Sequence, residues 1–193
     1  TLLEPDNGSI KIDGIEITNL KSKDKDKLMN KFGYLFQNGA LFDSLTIWEN
    51  VVFKLLNNDK ISRDKAKKIA LEKLEIVDLD EKIANLYPCE LSGGMQKRAS
   101  LARAIATDPE IIFFDEPTTG LDPITSEVIN DLIIKTTKIT GATSITITHD
   151  IHSARRISDR IVMLNEGKIG WSGTSQELDT TDNELIRKFL NKK

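Results

Sequence analysis

The stretch LSGGMQKR, residues 91–98, combines a hydroxyl group, two adjacent glycines and the start of a predicted helix. Ser92 can cap that helix and offers a hydroxyl donor, while Gly93 and Gly94 let a ligand approach the backbone closely. The free N–H groups and the positive end of the helix dipole make such a helix start an anion site. The alternative is an ordinary capped helix start, since Ser-Gly-Gly is common in loops.

Two adjacent carboxylates, Asp115 and Glu116, directly follow the apolar run IIFF at residues 111–114. A short unbroken apolar run predicts a buried parallel strand, and α/β proteins bind ligands at the carboxyl ends of such strands. In nucleotide hydrolases the first carboxylate handles Mg²⁺ and the second orients or activates the attacking water. For the dipeptide alone, the alternative is a strand followed by a solvated acidic turn.

Two further polar side chains follow predicted strands. His149 comes after residues 144–148, a run rich in β-branched side chains, and Gln37 comes after the apolar run 32–36. A histidine at the end of a strand is a candidate for contact with a γ-phosphate, although a lone histidine is more often structural or solvated. Residues 117–123 (PTTGLDP) predict a rigid turn that also starts a helix.

Composition limits the function classes. With 193 residues, 39% hydrophobic and 30% charged, the sequence predicts one substantial globular domain. The net charge of −3 argues against nucleic acid as the main ligand, and no apolar run approaches the roughly 20 residues of a membrane-spanning helix. Cys89 is the only cysteine, which excludes an intrachain disulfide and a multi-cysteine metal site. We predict that Cys89 is a small buried residue and not a nucleophile.

The pattern of apolar residues predicts a hairpin over 9–17, followed by strands that alternate with helices. Such alternation predicts an α/β core with a parallel sheet, and a helical block from 46 to 106 is expected as an insertion. Its three helices are predicted to be capped by Thr46, Ser62 and Ser92, the first helix carrying Ile47, Val51 and Leu55. Further strands are predicted over 32–36, 111–114, 144–148, 160–164 and 168–172, further helices over 124–137, 151–157 and 182–190, and a short helix or loop over 21–31.

Taken in order, these motifs resemble the ABC ATPase family. Residues 91–96 are similar to its signature motif, 111–116 to its Walker B strand and 120–122 to its D-loop. Gln37 stands where the family has its Q-loop glutamine, and His149 stands where it has its switch histidine. The resemblance covers nearly the whole chain.

The resemblance implies a role for each of these residues with the cofactors ATP and Mg²⁺. Asp115 is expected to bind Mg²⁺, partly through water, and Glu116 to polarise the attacking water. His149 is expected to hold the γ-phosphate, and Gln37 to touch Mg²⁺ or water and to sense the transporter. Two subunits of this family enclose ATP head to tail, so one subunit's signature motif and D-loop serve the ATP bound to the other. The residues expected to act in this way are Ser92, Gly93, Gly94, Gln96 and Asp122.

The same resemblance implies the fold class, an α/β P-loop NTPase (RecA-like) core with a parallel sheet, antiparallel β hairpins and an inserted helical subdomain. Residues 1–37 and 107–173 are expected to form the core sheet. Residues 38–106 are expected to form the helical subdomain with the signature motif, and 174–193 a C-terminal helix.

A phosphate-binding loop, G-x-x-x-x-G-K-[ST], does not occur in the 193 residues. The only Gly-Lys pair is Gly167-Lys168, and Val162 stands where the first glycine is needed. In the family this loop, with its strand and helix, comes just before a segment similar to residues 1–8. We therefore expect the chain to begin after that helix and to bind ATP weakly or not at all by itself.

Three stretches narrow the resemblance: QNGALF at 37–42, LSGGMQKR at 91–98 and ITITHDIHSARR at 145–156. They look like the Mla-type lipid-transport ATPases of double-membraned bacteria and plastids, sometimes labelled ribonucleotide or toluene-tolerance transporters. This implies phospholipid movement between membranes, powered from the cytoplasmic face of the inner membrane. The implied partners are a second ATPase subunit in a homodimer and integral membrane permease subunits.

The family also has a groove for its membrane subunit after the Q-loop. Leu41, Phe42 and Trp48 either line that groove or belong to the core of the helical subdomain. An importer ATPase for another small solute, a non-transport ABC ATPase and a cassette that no longer turns over are the alternative functions. The compact insertion and the negative charge argue against the second of these, and the intact acidic pair and switch histidine argue against the third.

Overall fold

The chain begins with an antiparallel hairpin of β1 (Lys11–Ile12) and β2 (Ile15–Glu16). Asp13 and Gly14 make the turn with φ angles of 50° and 76°, which aspartate and glycine tolerate better than most residues. This hairpin confirms the sequence prediction. The computed structural model, from which these elements are taken, describes residues 5–18, 20–58 and 61–190.

A three-stranded parallel sheet lies at the centre of the fold, in the order β3-β4-β5. The strands are β3 (Phe32–Leu35), β4 (Ile111–Asp115) and β5 (Thr143–Ile147). The apolar strand β4 pairs on both of its edges, as expected for an unbroken apolar run. The α/β class with a parallel sheet is therefore confirmed.

The two faces of this sheet are packed differently. On one face Tyr34 stacks on Phe113 with ring centroids 5.2 Å apart, and Phe32 meets Phe113 edge to face at 5.5 Å. On the other face Leu35 and Phe114 are each 1% exposed and join the main core with the helices. The second face is therefore packed into the core, whereas the first is covered only in part, since Ile145 is 49% and Ile147 62% exposed.

The helix α1 (Ser22–Asn30) precedes β3, where the sequence predicts a helix or a loop. In the described part of the chain, four helices then lie between β3 and β4. The predicted caps Ser62 and Ser92 are confirmed, since their hydroxyls accept hydrogen bonds from the N–H groups of Lys65 and Met95. Glu49 reaches back to accept from the N–H and the hydroxyl of Thr46 at 3.0 and 2.7 Å. The four helices are α2 (Ile47–Val51), α3 (Phe53–Asn58), α4 (Arg63–Ile76) and α5 (Gly93–Ala104).

The prediction of one helix carrying Ile47, Val51 and Leu55 is wrong. The helix ends at Val51, Val52 adopts φ −102° and ψ 18°, and Leu55 lies on the next helix, α3. Val51 and Val52 are 1% and 0% exposed. The bend between the two helices lets both of these adjacent β-branched side chains enter the core.

Two 3₁₀ turns, Glu81–Asn85 and Pro88–Glu90, join α4 to α5. The prediction that Cys89 is buried is also wrong, because its side chain is exposed. The turn buries the neighbouring Pro88 instead, which leaves the thiol on the solvent side.

The remaining elements follow β4 and β5. Most confirm the predicted ones. Residues 174–193, expected as a C-terminal helix, contain two helices in their described part, α8 and α9, and Thr174 and Glu177 form the capping box at the start of the first. None of the helices in the described residues has both the length and the apolar character needed to cross a membrane. The elements are α6 (Pro123–Thr140), α7 (Ile151–Ile157), the antiparallel pair β6 (Ile161–Asn165) and β7 (Lys168–Gly173), α8 (Ser175–Thr180) and α9 (Glu184–Leu190).

Candidate functional site

The polar residues that follow β3, β4 and β5 lie at one edge of the parallel sheet. Asp115 pairs with Ile147, and the N–H of Glu116 donates to the carbonyl of Ile147 at 2.9 Å. The last residue pair between β3 and β4 is Leu35 with Phe114. Gln37 and Glu116 each lie two residues after a member of this pair. His149 follows β5 at the same edge. The register of the strands therefore places all four predicted residues at one end of the sheet.

The Glu116 carboxylate is the most enclosed of these groups, with 17% of its side chain exposed. One of its oxygens lies 2.9 Å from Nδ1 of His149 and 3.1 Å from the N–H of His149. The other oxygen accepts a hydrogen bond from the Thr119 hydroxyl at 2.8 Å. Because an ionised carboxylate can only accept, Nδ1 of His149 carries the proton in this contact.

The surroundings of Glu116 favour its ionised form. Burial raises the pKa of Glu116. The hydrogen bonds from His149 and Thr119 lower this pKa by more than burial raises it, so the net pKa lies below the ordinary value of 4.5. A carboxyl group with a lowered pKa stabilises the fold above its unfolded pKa. This contribution is lost as the pH falls through the folded pKa. Because the folded pKa of Glu116 lies below 4.5, its carboxyl group is ionised near neutral pH.

The backbone of Glu116 is held as closely as its side chain. Its φ angle is +45°, in the left-handed region that few residues other than glycine occupy. Its carbonyl lies 3.3 Å from the ammonium of Lys97 on α5, and the same ammonium donates to the carbonyl of Gln37. The helix that starts at Ser92 is thereby connected to two of the strand ends.

Asp115 and Gln37, which are predicted to bind Mg²⁺, are both exposed at this edge. In nucleotide sites Mg²⁺ is held by one or two carboxylates together with waters and phosphate oxygens, so an exposed carboxylate fits such a role. Among the described residues, no group of three or more His, Cys, Asp or Glu side chains could hold a metal ion. The residues fit an ion shared with a phosphate ligand better than a metal enclosed by protein.

A groove of about 480 Å³ lies where the start of α5 meets the start of α6. Ser92, Gly93 and Gly94 form one wall, and residues 120–129 contribute the other. Gly94 is tightly placed, because a Cβ at this position would lie 2.8 Å from the Thr125 side chain. The groove thus presents the N-terminus of a twelve-residue helix, with its free N–H groups, to solvent.

Asp122 and Gln96 are placed differently with respect to this groove. Asp122 lines it and caps α6, accepting hydrogen bonds from the N–H groups of Ile124 and Thr125 at 3.0 Å. Hydrogen bonds from the Thr125 side chain and then from backbone N–H groups lower the pKa of Asp122. The structure does not bring the Gln96 side chain to the groove, since its amide donates to the carbonyls of Pro88 and Leu91.

The sequence predictions missed the inward-pointing cations of α5. Lys97 is 6% exposed, and Arg103 donates to the carbonyls of Gly39 and Ala40 at 2.6 and 2.7 Å. Burial lowers the pKa of Lys97, an effect that the charges of Asp115 and Glu116 oppose only in part. The spacing of Lys97 and Arg103 gives no signal of a shared face, because residues six apart lie about 120° apart around a helix, and basic residues on a helix are usually solvated.

A model described as ABC transporter matches residues 1–119. The probable ribonucleotide transport ATP-binding protein mkl of Mycobacterium tuberculosis is 41% identical over 192 residues, which are 98% of this chain and 53% of that protein. The intermembrane phospholipid transport system ATP-binding protein MlaF of Haemophilus influenzae is 39% identical over 188 residues, 97% of this chain and 71% of that protein.

A third relative is named for a different transported substrate. The methionine import ATP-binding protein MetN of Carboxydothermus hydrogenoformans is 40% identical over 191 residues, 98% of this chain and 56% of that protein. The chain therefore spans about half the length of the mkl and MetN relatives.

A solved structure has the same fold. The ATP-binding cassette MJ0796, determined as a dimer bound to ADP and phosphate, has a TM-score of 0.80 and 37% identity to this chain. The match covers 90% of this chain and 76% of that one. It confirms the predicted P-loop NTPase fold class.

Replacing His149 with alanine is expected to raise the pKa of Glu116, because one hydrogen bond that lowers it is lost. The rise should be partial, since Thr119 and the backbone N–H of residue 149 still donate to the carboxylate. NMR titration of the Glu116 carboxyl carbon measures the change. His152→Ala is the matched control, because Nδ1 of His152 lies 3.0 Å from Glu127 instead. An identical Glu116 pKa in His149→Ala and the unchanged protein would contradict this assignment.

Proposed function

Because the chain belongs to the ABC transporter family, we propose that the full-length protein hydrolyses ATP to power a membrane transporter. The observation that carries this proposal is the ionised Glu116 carboxylate at the sheet edge, set between His149 and Thr119. The match to MlaF also confirms the predicted resemblance to Mla-type ATPases.

Glu116 is the residue we assign to the attacking water. An ionised carboxylate at this position can orient the water and accept its proton, the role of such groups in phosphoryl transfer. His149 keeps 75% of its side chain exposed while Nδ1 faces Glu116. We assign the opposite ring nitrogen, Nε2, to the γ-phosphate, so that the histidine connects phosphate and carboxylate.

Asp115 and Gln37 are the residues we assign to Mg²⁺, directly or through water. The bound ion would neutralise charge that develops on the phosphate oxygens. Both side chains are exposed at the edge that carries Glu116. The main grip on the phosphates of ATP is not assigned to any residue of this sequence, which contains no G-x-x-x-x-G-K-[ST] loop.

The groove at the start of α5 is proposed to receive the ATP that a second subunit holds. The Ser92 hydroxyl and the N–H groups of Gly93 and Gly94 would donate to the phosphates, and Asp122 would connect the two sites. The dimer of the MJ0796 cassette supports this arrangement. Gln96 would act indirectly, by holding the turn before Ser92 through its hydrogen bonds to Pro88 and Leu91.

An aromatic groove of about 440 Å³ is proposed for the membrane subunit, with the protein bound peripherally at the cytoplasmic face. Phe42 is 44% exposed, and its ring lies 4.5 Å from that of Phe53 in this groove. Trp48 is 7% exposed and belongs to the core, and Leu41 packs partly buried against that core. Of the three residues considered for this surface, Phe42 is the one that the structure leaves available.

Phospholipid is the proposed cargo, and the name of MlaF supports this choice. A small-solute importer is the second candidate, because MetN is as similar in identity as MlaF. Co-purified permease and full-length ATPase in proteoliposomes should move a fluorescent phospholipid to acceptor vesicles when ATP is added. Uptake of methionine without lipid transfer would favour the importer and overturn the lipid proposal.

Glu116→Gln in the full-length protein is expected to lower kcat by at least about 100-fold, because the amide cannot accept a proton from water. ATP binding and dimer formation should persist, since the amide has nearly the same size. Glu110→Gln is the control, at the opposite end of β4, where Glu110 pairs with Lys31. Steady-state phosphate release measures both variants. Substantial turnover in Glu116→Gln would refute the role of Glu116.

Ser92→Arg is expected to prevent the ATP-dependent dimer, because its long side chain would fill the groove meant for the partner's ATP. Ser62→Arg is the matched control, since Ser62 is an exposed serine that caps α4 in the same way. Both variants lose a cap that is worth about 1 kcal/mol. Light scattering with ATP in the Glu116→Gln background should show a monomer only for Ser92→Arg. A dimer in both would remove the support for action in trans.

A further inference from the structure

A buried ammonium group bridges two segments of the candidate site. Lys97 lies on α5, about one and a half turns from the capping Ser92, and is 6% exposed. Its ammonium donates to the carbonyl of Gln37 and lies 3.3 Å from the carbonyl of Glu116. Burying a charge is unfavourable unless polar groups compensate it. If Lys97 only filled space in the core, an apolar residue could replace it with little loss of folding stability.

The same face of α5 holds the segment after β3 at two further points. Ser100 lies under Gly39, where φ is +73° and a Cβ would lie 2.6 Å from the Ser100 hydroxyl. Arg103 donates to the carbonyls of Gly39 and Ala40. Each successive pair among Lys97, Ser100 and Arg103 is three residues apart, so the three side chains form one oblique row along the helix. Segment 37–40 is therefore fastened to the helix along its length.

The contact with Glu116 differs from these, because it acts on a backbone in an unfavourable conformation. The left-handed φ of Glu116 requires support from its surroundings. The carbonyl of Ile147 accepts the N–H of Glu116 at 2.9 Å, and Lys97 approaches the carbonyl of Glu116. The peptide groups on both sides of the carboxylate-bearing carbon are thus held, one by β5 and the other by α5.

We propose that Lys97 is a positioning residue that ties Glu116 and Gln37 to the helix presenting Ser92–Gly94. A partner that engages the start of α5 would thereby set the position of the carboxylate through Lys97, about one and a half helical turns from Ser92. This inference rests on the proposed ATPase function and adds to it a connection between the two halves of the composite site. Lys97 touches neither the proposed ATP groove nor the exposed side chain of Asp115.

Lys97→Met in the full-length protein tests the proposal, since it keeps the length and apolar stem but removes the donor. We expect kcat to fall about 10- to 100-fold, the usual effect of displacing a catalytic group by about an ångström. KM for ATP should stay within about twofold, because no contact with the nucleotide is lost. Lys97→Arg, which keeps the charge and the donors, should recover most of kcat.

Lys73→Met is the matched control, because the Lys73 side chain is also largely buried, at 13% exposed, and pairs with Asp108 away from the sheet edge. Thermal unfolding of each variant measures folding separately, and Lys97→Leu, which also lacks a donor, serves if Lys97→Met does not fold. The proposal is overturned by an unchanged kcat in the variant that lacks the donor, by no recovery in a folded Lys97→Arg, or by an equal loss in Lys73→Met. If the unchanged protein has no ATPase activity, the proposed function is wrong, and the inference about Lys97 is wrong with it.

Discussion

The left-handed backbone of Glu116 is the constraint on which the rest of the site depends. A non-glycine residue with φ near +45° is disfavoured by about 1–2 kcal/mol. This conformation sets the direction of the side chain, because the chain turns sharply after β4 and the carboxylate faces His149 and Thr119. Without this turn, the side chain would continue the alternation of the strand. One conformational cost therefore sets the position of the chemical group.

The architecture supplies the supports for that conformation from three directions. β5 offers the carbonyl of Ile147, the turn after β4 offers the Thr119 hydroxyl, and α5 offers the ammonium of Lys97. The helix can act as a support because its apolar residues are anchored in the main core, with Leu101 at 0% exposure. Closely packed interiors transmit displacement with little slack. The groove at the start of α5 and the sheet edge are thus connected through one packed helix.

Much of the site could be predicted from the sequence because its signals are local. An apolar run that ends in Asp115 and Glu116 indicates a strand and its carboxyl edge, and Ser92 before two glycines indicates a capped helix start. The direction of the side chains of Lys97 and Gln96 could not be predicted. It depends on which carbonyls lie nearby in the folded chain, and Gln37 is sixty residues from Lys97.

The errors in the fold have the same origin. The end of a helix at Val51 is set by how two valines enter the core, and the exposure of Cys89 is set by a 3₁₀ turn that buries Pro88. Neither is visible in periodicity or composition. The start of α8 is different, because its capping box of Thr174 and Glu177 is present in the sequence.

The proposed catalytic centre is shared by two chains, with Glu116 from one and Ser92 from the other. Mixing inactive Glu116→Gln protein with inactive Ser92→Arg protein tests it most directly. A mixed dimer has one site with both changes and one site with neither. Random mixing of a two-fold dimer should therefore restore ATP hydrolysis to at most about a quarter of the unchanged rate, because the site with both changes still contains the arginine that obstructs the groove. A mixture as inactive as its separate components would contradict a site built from two chains.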